Sequence, residues 1–293
     1  MIKINNIFKS YYGKTAIEDI SLVIAPGQIQ GLVGDNGAGK TTLIKCVAGI
    51  YKVDSGEITC EDKVIYTNPE IKEKIGYVSD NNDYIGRYTI KKMIDVFEIY
   101  FPKFSKDKFN EYNNRFKLDL DAKIDTLSKG QKMRLGLMLE LAKNPEYLLL
   151  DEPTSGLDPV VKKAFMEIII EAVEKDNVGV LISSHNLNDL EKLCDTITIL
   201  EKGKVFDNSN LDELKGRLTK VQAVFENGVN EKLLARDTVV KYSNVGNVYT
   251  LVIEEYDSEK EKWLKNLGAG YIEELDMSLE ELYIALEERK GEE

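Results

Sequence analysis

The chain has very little of several residue types that would carry common kinds of chemistry. Its 293 residues include one histidine, His185, one tryptophan, and three cysteines, Cys46, Cys60 and Cys194. A single imidazole cannot build a multi-histidine zinc site, and the cysteines lie too far apart for the paired spacing of a zinc ribbon, so no structural metal site is expected. The N-terminal MIKINNIFKS is polar within its first ten residues and reads as having no secretory leader. With so few cysteines, the expectation is a reducing cytosol and no disulfides. Long apolar runs are also missing. The greasiest stretches, such as Tyr147 to Leu150, are strand-length, well short of the roughly 18 to 20 residues that cross a bilayer. Basic charge is not in excess either. There are 39 Lys plus Arg against 51 Asp plus Glu, a net charge of −12, and phosphate neutralisation by a dedicated nucleic-acid binder needs clustered Lys and Arg.

What is present suits a folded protein. Hydrophobic residues make up 43% and charged residues 31%, enough for one full core and a smaller second one. The acidity is uneven. Residues 221 to 293 hold 8 basic and 17 acidic side chains, a net −9, which leaves the first 220 residues near −3. The last quarter therefore reads as a separate acidic domain.

Patterning along the chain supports that division. Residues 1 to 80 read as β-rich, with strands over Met1–Ile7, Ser21–Ile24 and Gln28–Val33, the last two joined by a Pro26-Gly27 turn. Thr41 to Ile50 places Leu43, Ile44, Val47 and Ile50 at helical spacing, with Gly49 as terminator. Helical periodicity runs from Thr89 to Pro145, broken by Pro102 and resumed over Lys108–Phe116 and Lys129–Lys143. Strands over Tyr147–Leu150 and Gly179–Ser183 flank a helix over Val160–Glu174, the alternation of a parallel sheet wrapped by helices. After Lys220 the expected order is strand Val221–Glu226, helix Asn230–Ala235, strands Thr238–Tyr242 and Val248–Glu254, helix Ser258–Asn266 and strand Tyr271–Asp276. That βαββαβ order suits a small ferredoxin-like unit. A last helix starts at Ser278, whose Ser-x-x-Glu with Glu281 forms a capping box.

The strongest chemical signal is GDNGAGKT, Gly34 to Thr41, which fits G-x-x-x-x-G-K-[ST] between a strand and a helix. Gly37 and Gly39 let backbone N–H groups turn inward around phosphate oxygens, Lys40 adds a point charge, and Thr41 offers a hydroxyl to Mg²⁺. Asn36, Ala38 and Thr42 complete the cradle. The dinucleotide pattern G-x-G-x-x-G cannot be laid on these glycines. A second acidic strand is needed to hold the metal, and Tyr147–Leu150 followed by Asp151 and Glu152 supplies it. Both acids emerge at the carboxyl end of the strand, where open α/β sheets bind ligands. Asp151 is placed to hold Mg²⁺ and Glu152 to act as general base toward a water. Leu127-Ser-Lys-Gly-Gln131 reads in two ways. Ser128 with Gln131 is a capping box for the helix that follows, and a helix N-terminus carrying a hydroxyl and a glycine is also an anion site.

At this point residues 1 to about 220 resemble the ATP-binding subunits of ABC transporters, whose signature is usually LSGGQ, with the motifs in the right order. The resemblance implies a P-loop NTPase core of RecA type over 1–88 and 145–220, a helical lobe over 89–144, and the acidic α+β unit over 221–293. It implies that Tyr12, or failing it Tyr11, stacks on adenine; that Asp158 in Ser155-Gly-Leu-Asp158 faces a partner subunit; and that His185 contacts the γ-phosphate. It also implies a head-to-tail dimer, with itself or a paralogous subunit, in which ATP lies between the phosphate loop of one copy and Ser128, Gly130 and Gln131 of the other. A separate membrane permease would be driven by its closure, and features such as FPKFSKDKF and the C-terminal SLEELYIAL look like the export branch, bacitracin exporters among it. Two departures stand out. Lys129 replaces a glycine of the signature, and laying Ile75-Gly-Tyr-Val-Ser-Asp80 on IGYxxQ puts Asp80 where glutamine usually contacts Mg²⁺ and the attacking water. Aspartate can ligate Mg²⁺ directly, so Asp80 is expected at the metal with Thr41 and Asp151. Tyr88, Phe97, Tyr100, Phe101 and Phe104 are expected mostly in the core of the helical lobe, with the exposed minority available to a permease helix. The competing readings are an ABC-type ATPase acting on ribosomes or DNA, which usually has two cassettes or basic extensions, and a plain P-loop kinase, against which the signature counts. The acidic tail reads either as an extension that stabilises the dimer or as a regulatory module.

Overall fold

The computed structural model describes residues 1–80, 84–230, 234 and 238–290. They divide into two compact units, Met1–Asn208 and Ser209–Glu293. The division falls ahead of the boundary expected at 220/221, because the first strand of the second unit already begins at Leu218 and pairs from its first residue, Leu218 opposite Glu254.

In the first unit, strands β1 (Ile2–Tyr11) and β2 (Lys14–Ile24) form a long antiparallel hairpin, followed by β3 (Ile29–Val33) and helix α1 (Lys40–Val47). The hairpin is longer than the sequence pattern suggests because bulges interrupt its alternation, one at Asn6 with φ 44°. Next come β4 (Ser55–Cys60), β5 (Lys63–Val64), α2 (Pro69–Glu73) and β6 (Ile75–Val78). One sheet has the order β2-β1-β4-β5. Alternate residues Ile2, Ile4, Leu22 and Ile24 join Leu43, Ile44 and Val47 of α1 in one buried apolar cluster. Gly49, φ 67°, ends the helix turn, and Ile50 beyond it is exposed.

The helical segment contains α3 (Ile90–Tyr100), α4 (Lys106–Phe116) and α5 (Lys129–Ala142). Each starts on a side-chain cap, Thr89, Ser105 and Ser128. The chain then returns through β7 (Tyr147–Asp151), α6 (Pro159–Asp176), β8 (Gly179–Ser183), α7 (Leu187–Glu191), β9 (Thr196–Glu201) and β10 (Lys204–Asn210). The second sheet has the order β10-β9-β3-β8-β7-β6, with β9, β3, β8, β7 and β6 parallel. Strands β3, β7 and β8 are buried at every residue, as expected when helices cover both faces. Their carboxyl ends lie along one edge. Strand β9 carries no clear signal in the sequence pattern, yet it pairs directly with β3.

Helix α5 is buried almost all round and carries one ion pair inside that shell. Glu140 Oε2 accepts from Lys143 Nζ at 2.6 Å and from the Tyr77 backbone N–H at 3.1 Å. The Lys143 ammonium also lies 4.4 Å from the centre of the Phe101 ring.

In the second unit α8 (Leu211–Gly216) precedes β11 (Leu218–Val224), β12 (Val239–Val245), β13 (Val248–Glu254), α9 (Ser258–Asn266), β14 (Tyr271–Leu275) and α10 (Leu279–Lys290). The sheet order is β12-β13-β11-β14 and every pair is antiparallel. Taking β11 to β14 as first to fourth, this is the ferredoxin-like order. The helix expected over 230–235 falls largely outside the described residues. Ser278 caps α10 as expected, its N–H donating to Glu281 Oε2 at 3.1 Å while Glu281 N–H donates to Ser278 Oγ at 3.2 Å. Among the described residues no helix is long and apolar enough to cross a membrane.

Two outcomes follow from these burials. Lys143→Met strands the Glu140 carboxylate and is expected to cost about 3–5 kcal/mol in urea unfolding, whereas Glu140→Leu with Lys143→Met recovers most of that loss. All three thiols are free and buried, and burial pushes Cys46 up to about 12 and raises Cys60 and Cys194 as well. Native protein at pH 8 is therefore expected to resist a disulfide-exchange reagent such as DTNB and to release its thiols only in denaturant.

Candidate functional site

The phosphate loop begins where β3 ends. Gly34 has φ 154° and a Cβ there would meet the Leu200 carbonyl oxygen at 2.3 Å, and Gly39, φ 105°, would press on the Ala16 carbonyl at 2.6 Å. Only glycine fits either position. Asn36 and Gly37 are exposed at the tip, and Ala38 is buried beneath them. Lys40 Nζ donates to the carbonyls of Gly34 at 2.5 Å and Asp35 at 3.2 Å, which closes the loop on itself. Thr41 and Thr42 open α1, with Thr41 the more exposed.

Asp151, the last residue of β7, is 3% exposed. Its Oδ1 accepts from Thr41 Oγ1 at 3.1 Å and from Ser183 Oγ, the last residue of β8, at 3.0 Å. Burial raises the Asp151 carboxyl above its usual range, only partly offset by these two hydroxyls. A carboxylate so placed suits a cation, and the donor set of one carboxylate and one hydroxyl fits Mg²⁺. Among the described residues no cluster of three or more His, Cys, Asp or Glu could hold a metal alone. The remaining donors would come from nucleotide and water.

Glu152 follows with φ 51°, a left-handed conformation unusual for a non-glycine residue. Its N–H donates to the same Ser183 Oγ at 3.0 Å. Its Oε2 accepts from the His185 N–H at 3.2 Å and lies 2.6 Å from His185 Nδ1. A carboxylate only accepts, so Nδ1 carries the hydrogen and Nε2 is left for another partner. Ser183 thus joins both acids, and the sequence pattern did not single it out. The available signal was a polar residue at the end of the apolar run Val180-Leu-Ile182.

The two tyrosines at the end of the β1–β2 hairpin separate cleanly. Tyr12, φ 49°, is fully exposed at the turn. Tyr11 turns inward, its ring 5.8 Å from that of Tyr51 and edge-on to it. Ser128 and Gln131 form the expected capping box, Ser128 Oγ accepting from Gln131 N–H at 3.2 Å and Gln131 Oε1 accepting from Ser128 N–H at 2.8 Å. Ser128 is exposed and Gly130 half-buried. Asp158 is exposed and caps α6, accepting from Val160 N–H at 3.1 Å and Val161 N–H at 3.0 Å. Asp80 meets Lys129: the ammonium donates to its carboxylate in an ion pair. The acid expected as a metal ligand is thus already engaged by a cation, because lysine stands at 129. In the helical segment Phe97 is buried against Phe101 and Phe104, with ring centres 5.2 and 5.8 Å away, while Tyr100 and Ile99 are 72% and 77% exposed. Tyr88, half-buried, lies under the Lys92 ammonium.

The buried state of Asp151 makes a measurable trade-off. Its folded pKa lies above the unfolded value, so the ionised form costs stability at neutral pH and that cost fades as pH falls through the folded value. In metal- and nucleotide-free protein Asp151→Asn is expected to raise the melting temperature at pH 7, with a smaller gain at pH 4, while Mg²⁺-dependent ATP turnover falls at least about a hundredfold. A lower melting temperature at pH 7 would contradict this account.

Comparison with known proteins gives the family. A family model described as ABC transporter matches residues 17–155. The ABC transporter ATP-binding protein YtrB of Bacillus subtilis is 34% identical over 285 residues, 97% of each chain. The bacitracin transport ATP-binding protein BcrA of Bacillus licheniformis is 31% identical over 223 residues, 75% of this chain and 73% of that one. Among solved structures, the ATP-binding subunit of an ABC transporter matches with a TM-score of 0.68 at 25% identity over 73% of this chain and 92% of that chain. The dimeric cassette MJ0796 gives 0.66 at 25% identity over 72% and 99%. The chain belongs to the ABC transporter ATP-binding proteins and is an ATPase of the P-loop class.

Proposed function

We propose that two cassettes close head to tail around two molecules of MgATP and drive a separate membrane permease. The observation that carries this reading is the hydrogen-bonded set Thr41, Asp151, Ser183, Glu152 and His185 along one sheet edge, facing the phosphate loop. In this reading Gly37, Ala38, Gly39 and Lys40 cradle the β- and γ-phosphates with Asn36 and Thr42 at the margins, and Tyr12 stacks on adenine. Thr41 and Asp151 would hold Mg²⁺, which supplies charge neutralisation on the phosphate oxygens. Glu152 accepts a proton from the attacking water, while His185, held through Nδ1, donates to the γ-phosphate through the Nε2–H that its protonated ring carries. Ser128, Gly130 and Gln131 of the other copy close the site from across the interface, with Asp158 beside them.

MJ0796 is described as a dimeric cassette, which supports the assembly. A self-pair is the simplest form, since every motif is present in one chain; a paralogous partner is the other. Export is the direction taken from the resemblance to the bacitracin-type branch; BcrA is named for bacitracin transport. The exposed Ile99 and Tyr100 of α3 offer an apolar surface to the permease. The protein would then work in the cytoplasm, peripheral to the membrane through that subunit, with no nucleic-acid partner. The test is a pair of variants. Lys40→Ala is expected to lower MgATP affinity at least about a hundredfold, and Glu152→Gln to accumulate as an ATP-bound dimer in size-exclusion chromatography. A Glu152→Gln protein that hydrolyses ATP at the parental rate would remove the general-base role.

A further inference from the structure

Asp80 and Lys129, the two departures from the expected motifs, meet each other. Asp80 stands two residues past β6, and Val78 of β6 is paired with Leu150 of β7. Asp80 and Glu152 therefore leave the same sheet edge at matching register, on strands about 4.8 Å apart. A free carboxylate there would add negative charge beside the triphosphate position. Lys129, the first residue of α5, brings its ammonium to that carboxylate from 49 residues along the chain. Its placement is not left to a flexible arm alone. At the other end of α5, Glu140 Oε2 accepts from the Tyr77 N–H at 3.1 Å and Lys143 Nζ donates to the Ile75 carbonyl at 3.4 Å, so the C-terminal end of the helix is fastened to β6, the strand that leads to Asp80.

We propose that Lys129 is a positioning residue for the ATPase reaction: it anchors and neutralises the Asp80 carboxylate beside the nucleotide, so that losing the ammonium weakens MgATP binding through Asp80. The pair is half in solvent, with side chains 47% and 40% exposed, and an exposed pair contributes little to folding. Its effect falls on a multiply charged ligand instead, whose repulsion by one uncompensated charge is large enough to read. The inference rests on the phosphate loop holding the triphosphate as proposed above.

The experiment is a double-mutant cycle on the full chain, with KM and kcat for MgATP measured in the parent, Lys129→Gln, Asp80→Asn and the double variant. Lys129→Gln is expected to raise KM roughly three- to tenfold with kcat changed less than about twofold. Lys129→Arg keeps the charge and is expected to hold the parental KM. In the Asp80→Asn background Lys129→Gln is expected to shift KM by less than about twofold, since nothing remains to be anchored. An equal rise in both backgrounds, or no rise in the parent, overturns the proposal. Should Lys129→Gln melt early, Lys129→Met takes its place in the same cycle, and the same two results support or overturn the proposal. Failure of the underlying site assignment shows separately, as MgATP affinity that survives Lys40→Ala.

Discussion

Asp151 is a carboxylate held almost wholly out of water at the end of a buried strand, and two hydroxyls keep it there. Thr41 reaches it from the first turn of α1 and Ser183 from the end of β8, so one acceptor oxygen ties together three elements far apart in sequence. An unpartnered buried charge would cost several kcal/mol, and even with its partners Asp151 stays raised toward its neutral form. The end of β7 is therefore a place where folding tolerates an unfavourable charge. Ser183 extends the arrangement to Glu152, whose left-handed backbone is held by the same hydroxyl and whose carboxylate then fixes His185.

Around that centre, burial and caps do the positioning. The parallel strands β3, β7 and β8 expose nothing along their length, and Asp151 and Glu152 come where β7 ends. The loop from β3 to α1 has room only for glycine at Gly34 and Gly39, because neighbouring carbonyls come closer than van der Waals contact to where a Cβ would sit. The helical segment is joined to this sheet through α5 and β6. The buried pair of Glu140 and Lys143, closed by the Tyr77 N–H and the Phe101 ring, holds the C-terminal end of α5 against β6.

The second unit has its own core. Val221, Ala223, Phe225, Leu251, Ile253 and Leu264 gather on one face of the antiparallel sheet. The alignment with YtrB covers 97% of this chain, whereas the solved cassettes cover about three quarters of it. The likeness to YtrB thus extends into the second unit.

Much of this was legible along the chain. The phosphate loop, the acids after Leu150, the caps at Ser128 and Ser278 and the helix Ser258–Asn266 depend on residues a few positions apart, and local spacing encodes them. Strand β9 was not legible. Its Thr198 is fully buried, which a polar residue tolerates only with partners, and those are Gln30, whose Nε2 donates to its Oγ1 at 2.7 Å, and Asn208, which accepts from it at 2.8 Å. Nothing in Cys194-Asp-Thr-Ile-Thr announces a partner 168 residues away. The same reason separates the rest. The sequence by itself determined which residues could bind a triphosphate and which could ionise. Only the tertiary structure decided that Tyr12 faces out and Tyr11 in, that Ser183 joins both acids, and that Asp80 is matched with Lys129, because each of these is a distance between groups that chain order leaves free.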